Sequence, residues 1–117
     1  ALCYPNIVER MGKVGGKASK LFVDLMGFFC KTQKQVFGWE GGPLHDPTCI
    51  AYIIDESCIE TKDMYSEVEI RSEKCYGRTL CDYFGVTKNK PNSKVSIKLD
   101  VDKFWNIVEE CIKLYNK

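Results

Sequence analysis

Between Lys17 and Phe37 the apolar residues Ala18, Leu21, Phe22, Leu25, Phe29, Val36 and Phe37 recur at intervals of three and four. That is the spacing of one face of an α-helix, and it predicts a long amphipathic helix with this face on the core. A shorter helix from Pro5 to Val14 precedes it, separated by the helix-breaking pair Gly15-Gly16. Gly38 ends the long helix, and Trp39-Glu40-Gly41-Gly42-Pro43-Leu44 reads as a loop by its glycines and proline. At His45-Asp46-Pro47-Thr48 a new helix is predicted to start, with Asp46 accepting from the free amides as N-cap and Pro47 at the first helical position. Cys49, Ile50, Ala51, Tyr52, Ile53 and Ile54 follow without a polar interruption. Such a run fits a short helix buried on nearly every side.

From Met64 the period changes to two. Met64, Val68 and Ile70 face one way and Tyr65, Glu67 and Glu69 the other. A turn around Glu73 to Gly77 leads to a second strand-like run from Thr79 to Phe84, and Thr87 to Ser93 is a polar loop. Val95, Ile97, Leu99 and Val101 then alternate with Lys94, Ser96, Lys98 and Asp100, the clearest strand of the chain. Asp102 is expected to cap a closing helix that carries Phe104, Ile107, Val108, Cys111, Ile112 and Tyr115 on one face. The content is α+β: helices, a small sheet of about three strands and a closing helix.

The 117 residues form one continuous piece with no linker, repeat or low-complexity segment, so no domain boundary is expected. A net charge of +1 gives no electrostatic footprint for nucleic acid or an anionic membrane surface. No run approaches the ~18 apolar residues of a spanning helix, and no signal-peptide pattern opens the chain; a soluble cytoplasmic protein is expected. The seven cysteines are odd in number, spread evenly and without a C-x-x-C pair, which argues for reduced thiols acting as small hydrophobes over disulfides or zinc. The start at Ala1-Leu2-Cys3-Tyr4, without Met, suggests a fragment of something longer.

Two places could carry chemistry. Gln33 lies on the apolar stripe between Phe29 and Phe37. Its amide either bonds a neighbouring loop's backbone or borders a ligand pocket, since an unpartnered buried amide costs about 1–3 kcal/mol. His45, the one histidine, sits in the Gly-Gly-Pro loop beside Asp46. It could act as general acid or base at neutral pH, or be a plain loop residue beside a plain cap. Asp46 could ligate a hard cation, but one carboxylate is far from the roughly six to eight oxygens calcium takes. His45 and Cys49, one helical turn apart, give only two of a transition metal's ligands.

The segment Gly41-Gly42-Pro43-Leu44-His45-Asp46-Pro47-Thr48-Cys49-Ile50-Ala51-Tyr52 resembles the C-terminal signature of the inosine-uridine preferring nucleoside N-ribohydrolase family. The resemblance continues through Lys31-Thr32-Gln33, Cys75-Tyr76-Gly77-Arg78-Thr79-Leu80-Cys81-Asp82, Lys90-Pro91-Asn92-Ser93-Lys94-Val95 and Asp102-Lys103-Phe104-Trp105. It covers essentially the whole chain, and the cysteine-bearing block is most similar to the pyrimidine-preferring branch.

The resemblance implies an α/β parent with the nucleoside hydrolase fold, of which residues 1–117 would be the C-terminal portion. It implies hydrolysis of the N-glycosidic bond of ribonucleosides, in nucleoside salvage, by a calcium-dependent homo-oligomer. On the matching positions, Asp46 would be a Ca2+ ligand, His45 a catalytic proton donor to the leaving base, and Gln33 a residue lining the base. Phe37 stands where a tyrosine is frequent in the family, so a substrate-binding hydroxyl is lost there. The family's aspartate-rich calcium motif and its ribose-binding segment have no counterpart here, so the chain alone should be inactive. The competing reading is a non-catalytic small α+β binding or interaction domain.

Overall fold

A computed structural model describes residues 1–116. Its contacts gather into two compact units, residues 1–58 with 99–116, and the intervening residues 59–98.

The first unit is helical. Strand β1 (Leu2–Cys3) leads into helix α1 (Pro5–Lys13), and α2 (Gly16–Phe37) follows after a two-residue break. Strand β2 (Gly42–Pro43) pairs antiparallel with β1, Leu2 opposite Pro43 and Cys3 opposite Gly42. Helix α3 (Asp46–Ile54), a short 3-10 turn at Glu56–Cys58, and helix α4 (Val101–Tyr115) complete it. Cys3, Met11, Met26, Ala51, Cys58, Phe104, Trp105 and Ile112 form the core, with the Phe104 and Trp105 rings edge to face at 4.9 Å. The Ser19 hydroxyl, buried among them, donates to the Met11 carbonyl at 2.6 Å and so satisfies both polar groups inside.

The helices begin and end largely where the sequence pattern places them, and α4 buries Phe104 and Ile112 of its expected face, but the faces of α2 and α3 differ. On α2 the buried residues are Ser19 and Met26, while Leu21, Leu25, Val36 and Phe37, expected on the core, are exposed together with Phe28 at 75%. On α3 only Ala51 is buried, and Ile50, Ile53 and Ile54 lie exposed instead of enclosed on nearly every side. Helical periodicity identifies an apolar face; it does not say that the same chain covers it. Nor are the caps the expected ones. The N-cap of α3 is His45, with Asp46 already inside the helix. Asp100, not Asp102, caps α4, its carboxylate accepting from the Lys103 amide at 3.0 Å.

The second unit contains β3 (Ile59–Met64), β4 (Ser66–Val68), β5 (Thr79–Cys81) and most of β6 (Ser93–Leu99). The small-sheet content is as expected, but its pairing is not a three-stranded sheet: β3 pairs with β6, and β4 pairs antiparallel with β5. Strand β3 was not foreseen because its Glu60, Lys62 and Asp63 blur the alternation. The run from Met64 to Ile70 is broken at Tyr65, the run from Thr79 stops at Cys81, and Val101 opens α4. Asn92 ties this unit together: its amide donates to the Ser66 carbonyl at 2.9 Å and accepts from the Ser66 amide at 2.8 Å.

The cysteines are all free. Cys3 and Cys58 behave as small buried hydrophobes, whereas Cys49, Cys75 and Cys81 are exposed. Burial and the adjacent Cys30 thiol push the Cys3 thiol up to about 12, so it stays protonated and unreactive. No helix among the described residues is long and apolar enough to cross a membrane.

Charge pins α1 to α4. Glu109 accepts from Arg10 at 2.6 Å and pairs with Lys113 at 2.8 Å, and these partners hold its carboxyl below the usual range. A depressed carboxylate contributes stability above its unfolded value, near about 4.3, and loses it as pH falls through the lower folded value. Glu109→Gln is therefore expected to cost up to about 1 kcal/mol at pH 7. In thermal melts the variant and parent should converge as pH drops below about 4.

Candidate functional site

The loop from Gly38 to His45 carries the site. Gly38 closes α2 in the left-handed region, φ 72°, where a side chain would be strained. The chain turns back at once, so that the Trp39 ring stacks on Phe37 with centroids 5.0 Å apart and planes at 28°. Glu40 returns to α2 through an exposed ion pair with Lys34 at 3.1 Å.

Gly41 and Gly42 then pass through a space with no room for a side chain. A Cβ on Gly41 would stand 3.0 Å from the Tyr4 ring and 3.1 Å from the Cys3 carbonyl; on Gly42 it would stand 2.7 Å from the Phe29 ring and 3.0 Å from the Cys30 sulfur. The glycines are there for close approach, which seats the loop on both β1 and α2. The Leu44 amide, donating to the Ala1 carbonyl at 2.8 Å, extends the pairing that holds this seat.

His45 emerges from this seat exposed, and the Thr48 hydroxyl and amide both donate to its carbonyl at the head of α3. With Leu2, Tyr4, Trp39 and Pro43 it lines an open cavity of about 510 Å³. Asp46, also exposed, faces elsewhere: with Pro47, Ile50, Ile54 and residues of α4 it lines an apolar cavity of about 520 Å³. Successive helical residues project about 100° apart, so neighbours at a helix start serve different surroundings. Gln33 is half-buried one helical turn before Phe37, and it borders neither of these two cavities. The structure thus joins Phe37 to the His45 cavity through Trp39, and leaves Gln33 and Asp46 outside it.

Sequence reasoning missed Trp39 and Tyr4. Trp39 reads only as a loop residue and Tyr4 only as part of the chain's opening, although an aromatic side chain beside a glycine-rich loop is a usable signal. The fit to a cation is poor: no three His, Cys, Asp or Glu residues cluster among the described residues. Asp46 is one carboxylate, and this chain's residues do not by themselves form a calcium site.

A family model described as inosine-uridine preferring nucleoside hydrolase matches residues 1–106. The chain belongs to that family. It is 50% identical over 116 residues to the pyrimidine-specific ribonucleoside hydrolase RihB of Shigella flexneri, covering 99% of this chain and 37% of that protein. Over the same coverage it is 49% identical to the enzyme of that name from Escherichia coli. A solved purine-preferring ribonucleoside hydrolase from Gardnerella vaginalis matches with a TM-score of 0.76 at 21% identity, over 97% of this chain and 37% of its own. A plant nucleoside hydrolase matches with a TM-score of 0.77 at 18% identity, over 94% and 36%. The fold is therefore that of the α/β nucleoside hydrolases, and the chain spans little more than a third of these relatives.

The loop's seat makes a contrast that can be measured. Gly42→Ala is expected to cost about 1–3 kcal/mol through overpacking against Phe29. Gly27→Ala, inside α2 with open space around it, should stabilise by about 0.5–1 kcal/mol. Chemical denaturation of the two variants decides whether close approach or backbone freedom governs these glycines.

Proposed function

We propose that the whole protein carrying this chain hydrolyses the N-glycosidic bond of ribonucleosides to ribose and free base, with pyrimidine nucleosides preferred as the names of its relatives suggest. One observation supports the reading above the others: the single imidazole, at the head of α3, shares a cavity with two aromatic side chains. Cleavage of this bond passes through an oxocarbenium-like state, in which the departing base needs a proton and the sugar needs a water on the opposite face. His45 is the proton donor to the base. Gln33 and Phe37 belong to the base side of the pocket in the complete enzyme. Asp46 would contribute one carboxylate oxygen to a Ca2+ whose remaining ligands would come from outside this chain, and a bound Ca2+ would supply a held, acidified water.

No three His, Cys, Asp or Glu residues cluster among the described residues to hold a water-activating cation, so the 117-residue chain is expected to be inactive alone. In the whole protein it forms one piece of the hydrolase domain of a cytoplasmic, homo-oligomeric salvage enzyme. The exposed apolar faces of α2 and α3 pack there against the rest of the α/β enzyme. The alternative, a non-catalytic α+β interaction domain, needs only the core pattern.

Ribose release from uridine by the whole protein tests the reading. His45→Ala should lower kcat by about 10²–10⁴-fold, and Asp46→Asn should weaken calcium binding measured by titration calorimetry. No release from a folded, calcium-loaded protein would favour the interaction domain. Separately, the isolated chain should bind an apolar-surface dye and self-associate, and the whole protein should do neither through these faces.

A further inference from the structure

We propose that Trp39 is the aromatic wall of the base pocket beside His45, and that Phe37 is a positioning residue that holds the Trp39 ring without touching the base. The inference rests on the nucleoside-hydrolase reading and changes the role given to Phe37.

Three observations carry it. Phe37 ends α2 and is not among the residues that line the His45 cavity, whereas Trp39 is. The two rings are stacked at 5.0 Å and 28°, so one face of the indole rests on Phe37 while the indole also lines the cavity that His45 shares. The segment is held from both sides: the left-handed Gly38 sets the turn before Trp39, and the close-packed Gly41 anchors the backbone two residues after it. A ring fixed in this way loses little freedom when a ligand stacks on it. The cavity's chemistry suits a flat heteroaromatic ligand with a polar edge, because it offers aromatic and aliphatic faces from Trp39, Tyr4, Leu2 and Pro43 and a proton-bearing group from His45.

The assignment also accounts for a phenylalanine at position 37. A residue that only backs another ring has no use for a hydroxyl. Stacking is tolerant of base identity, since every base has a π-face, so Trp39 should bind pyrimidine and purine nucleosides alike and leave discrimination to other groups.

The test uses the whole protein with uridine and inosine. Trp39→Ala should raise KM for both by about tenfold or more, as loss of a base stack does, with kcat changed less than about threefold, the signature of uniform binding. Trp39→Phe keeps a ring and should restore KM to within about threefold of the parent. Phe37→Ala should raise KM in the parent but add nothing in the Trp39→Ala background, because a residue acting only through Trp39 has nothing left to position.

Uridine should also quench part of the tryptophan emission. Trp105 is 1% exposed, so within this chain the quenching comes from Trp39 and should be reduced in Trp39→Phe. An active enzyme whose KM is unmoved by Trp39→Ala overturns the inference and leaves the hydrolase reading intact. Equal effects of Phe37→Ala in both backgrounds overturn the positioning role. Absence of hydrolysis in the parent defeats the hydrolase reading, and absence of uridine quenching then defeats this inference as well.

Discussion

The close approach of Gly41 and Gly42 to β1 and α2 is the constraint from which the rest of the site follows. Two residues without side chains let the loop backbone lie against the Cys3 carbonyl on one side and the Phe29 ring and Cys30 sulfur on the other. The antiparallel pairing of Leu2–Cys3 with Gly42–Pro43 then fixes the register. Everything with chemical interest hangs from this seat. Trp39 is held on its N-terminal side and His45 on its C-terminal side, so the separation of indole and imidazole is set by packed backbone. A site built in this way keeps its geometry because its support is close-packed, and loses it if a single methyl group is forced in.

What could be read in the sequence divides along a physical line. The helices were legible because their signals are local: a three-and-four period, Gly38 at the end of α2, Asp-Pro at the start of α3. Which face is buried is not a local property. Leu21, Leu25 and Phe28 on α2 and Ile50, Ile53 and Ile54 on α3 have the composition of a core yet stand exposed. Their pattern belongs to a fold larger than 117 residues, in keeping with a chain that spans 37% of its relatives. Within residues 59–98 the strand Ser93–Leu99 was legible from its clean alternation, whereas β3 was not, because Glu60, Lys62 and Asp63 interrupt the apolar pattern and only Ile59 and Met64 of that unit are buried.

The caps show the same division at finer scale. Asp46 and Asp102 each had the chemistry of an N-cap, but His45 and Asp100 occupy the positions. Asp100 wins because its own amide already donates to the Cys58 carbonyl at 2.8 Å, and Lys103, in the first turn it caps, reaches the Ser57 hydroxyl at 2.9 Å. That tertiary anchoring decides which of two aspartates two residues apart begins the helix.

At α3 the displacement of one residue has a chemical consequence. Had Asp46 been the cap, its carboxylate would have been committed to the amides of the first turn. With His45 at the cap and no side chain closing the helix start, the carboxylate is left exposed within the first turn. There it is free to serve a ligand, and it adds favourably to the helix dipole. The adjacent imidazole, about 100° away around the helix, opens instead onto the aromatic cavity with Trp39. On the proposed reading a nucleoside would bring two ends with opposite needs to this helix start, a sugar that requires water and cation chemistry and a base that requires stacking and a proton, and the exposed carboxylate and the imidazole stand on different sides of it.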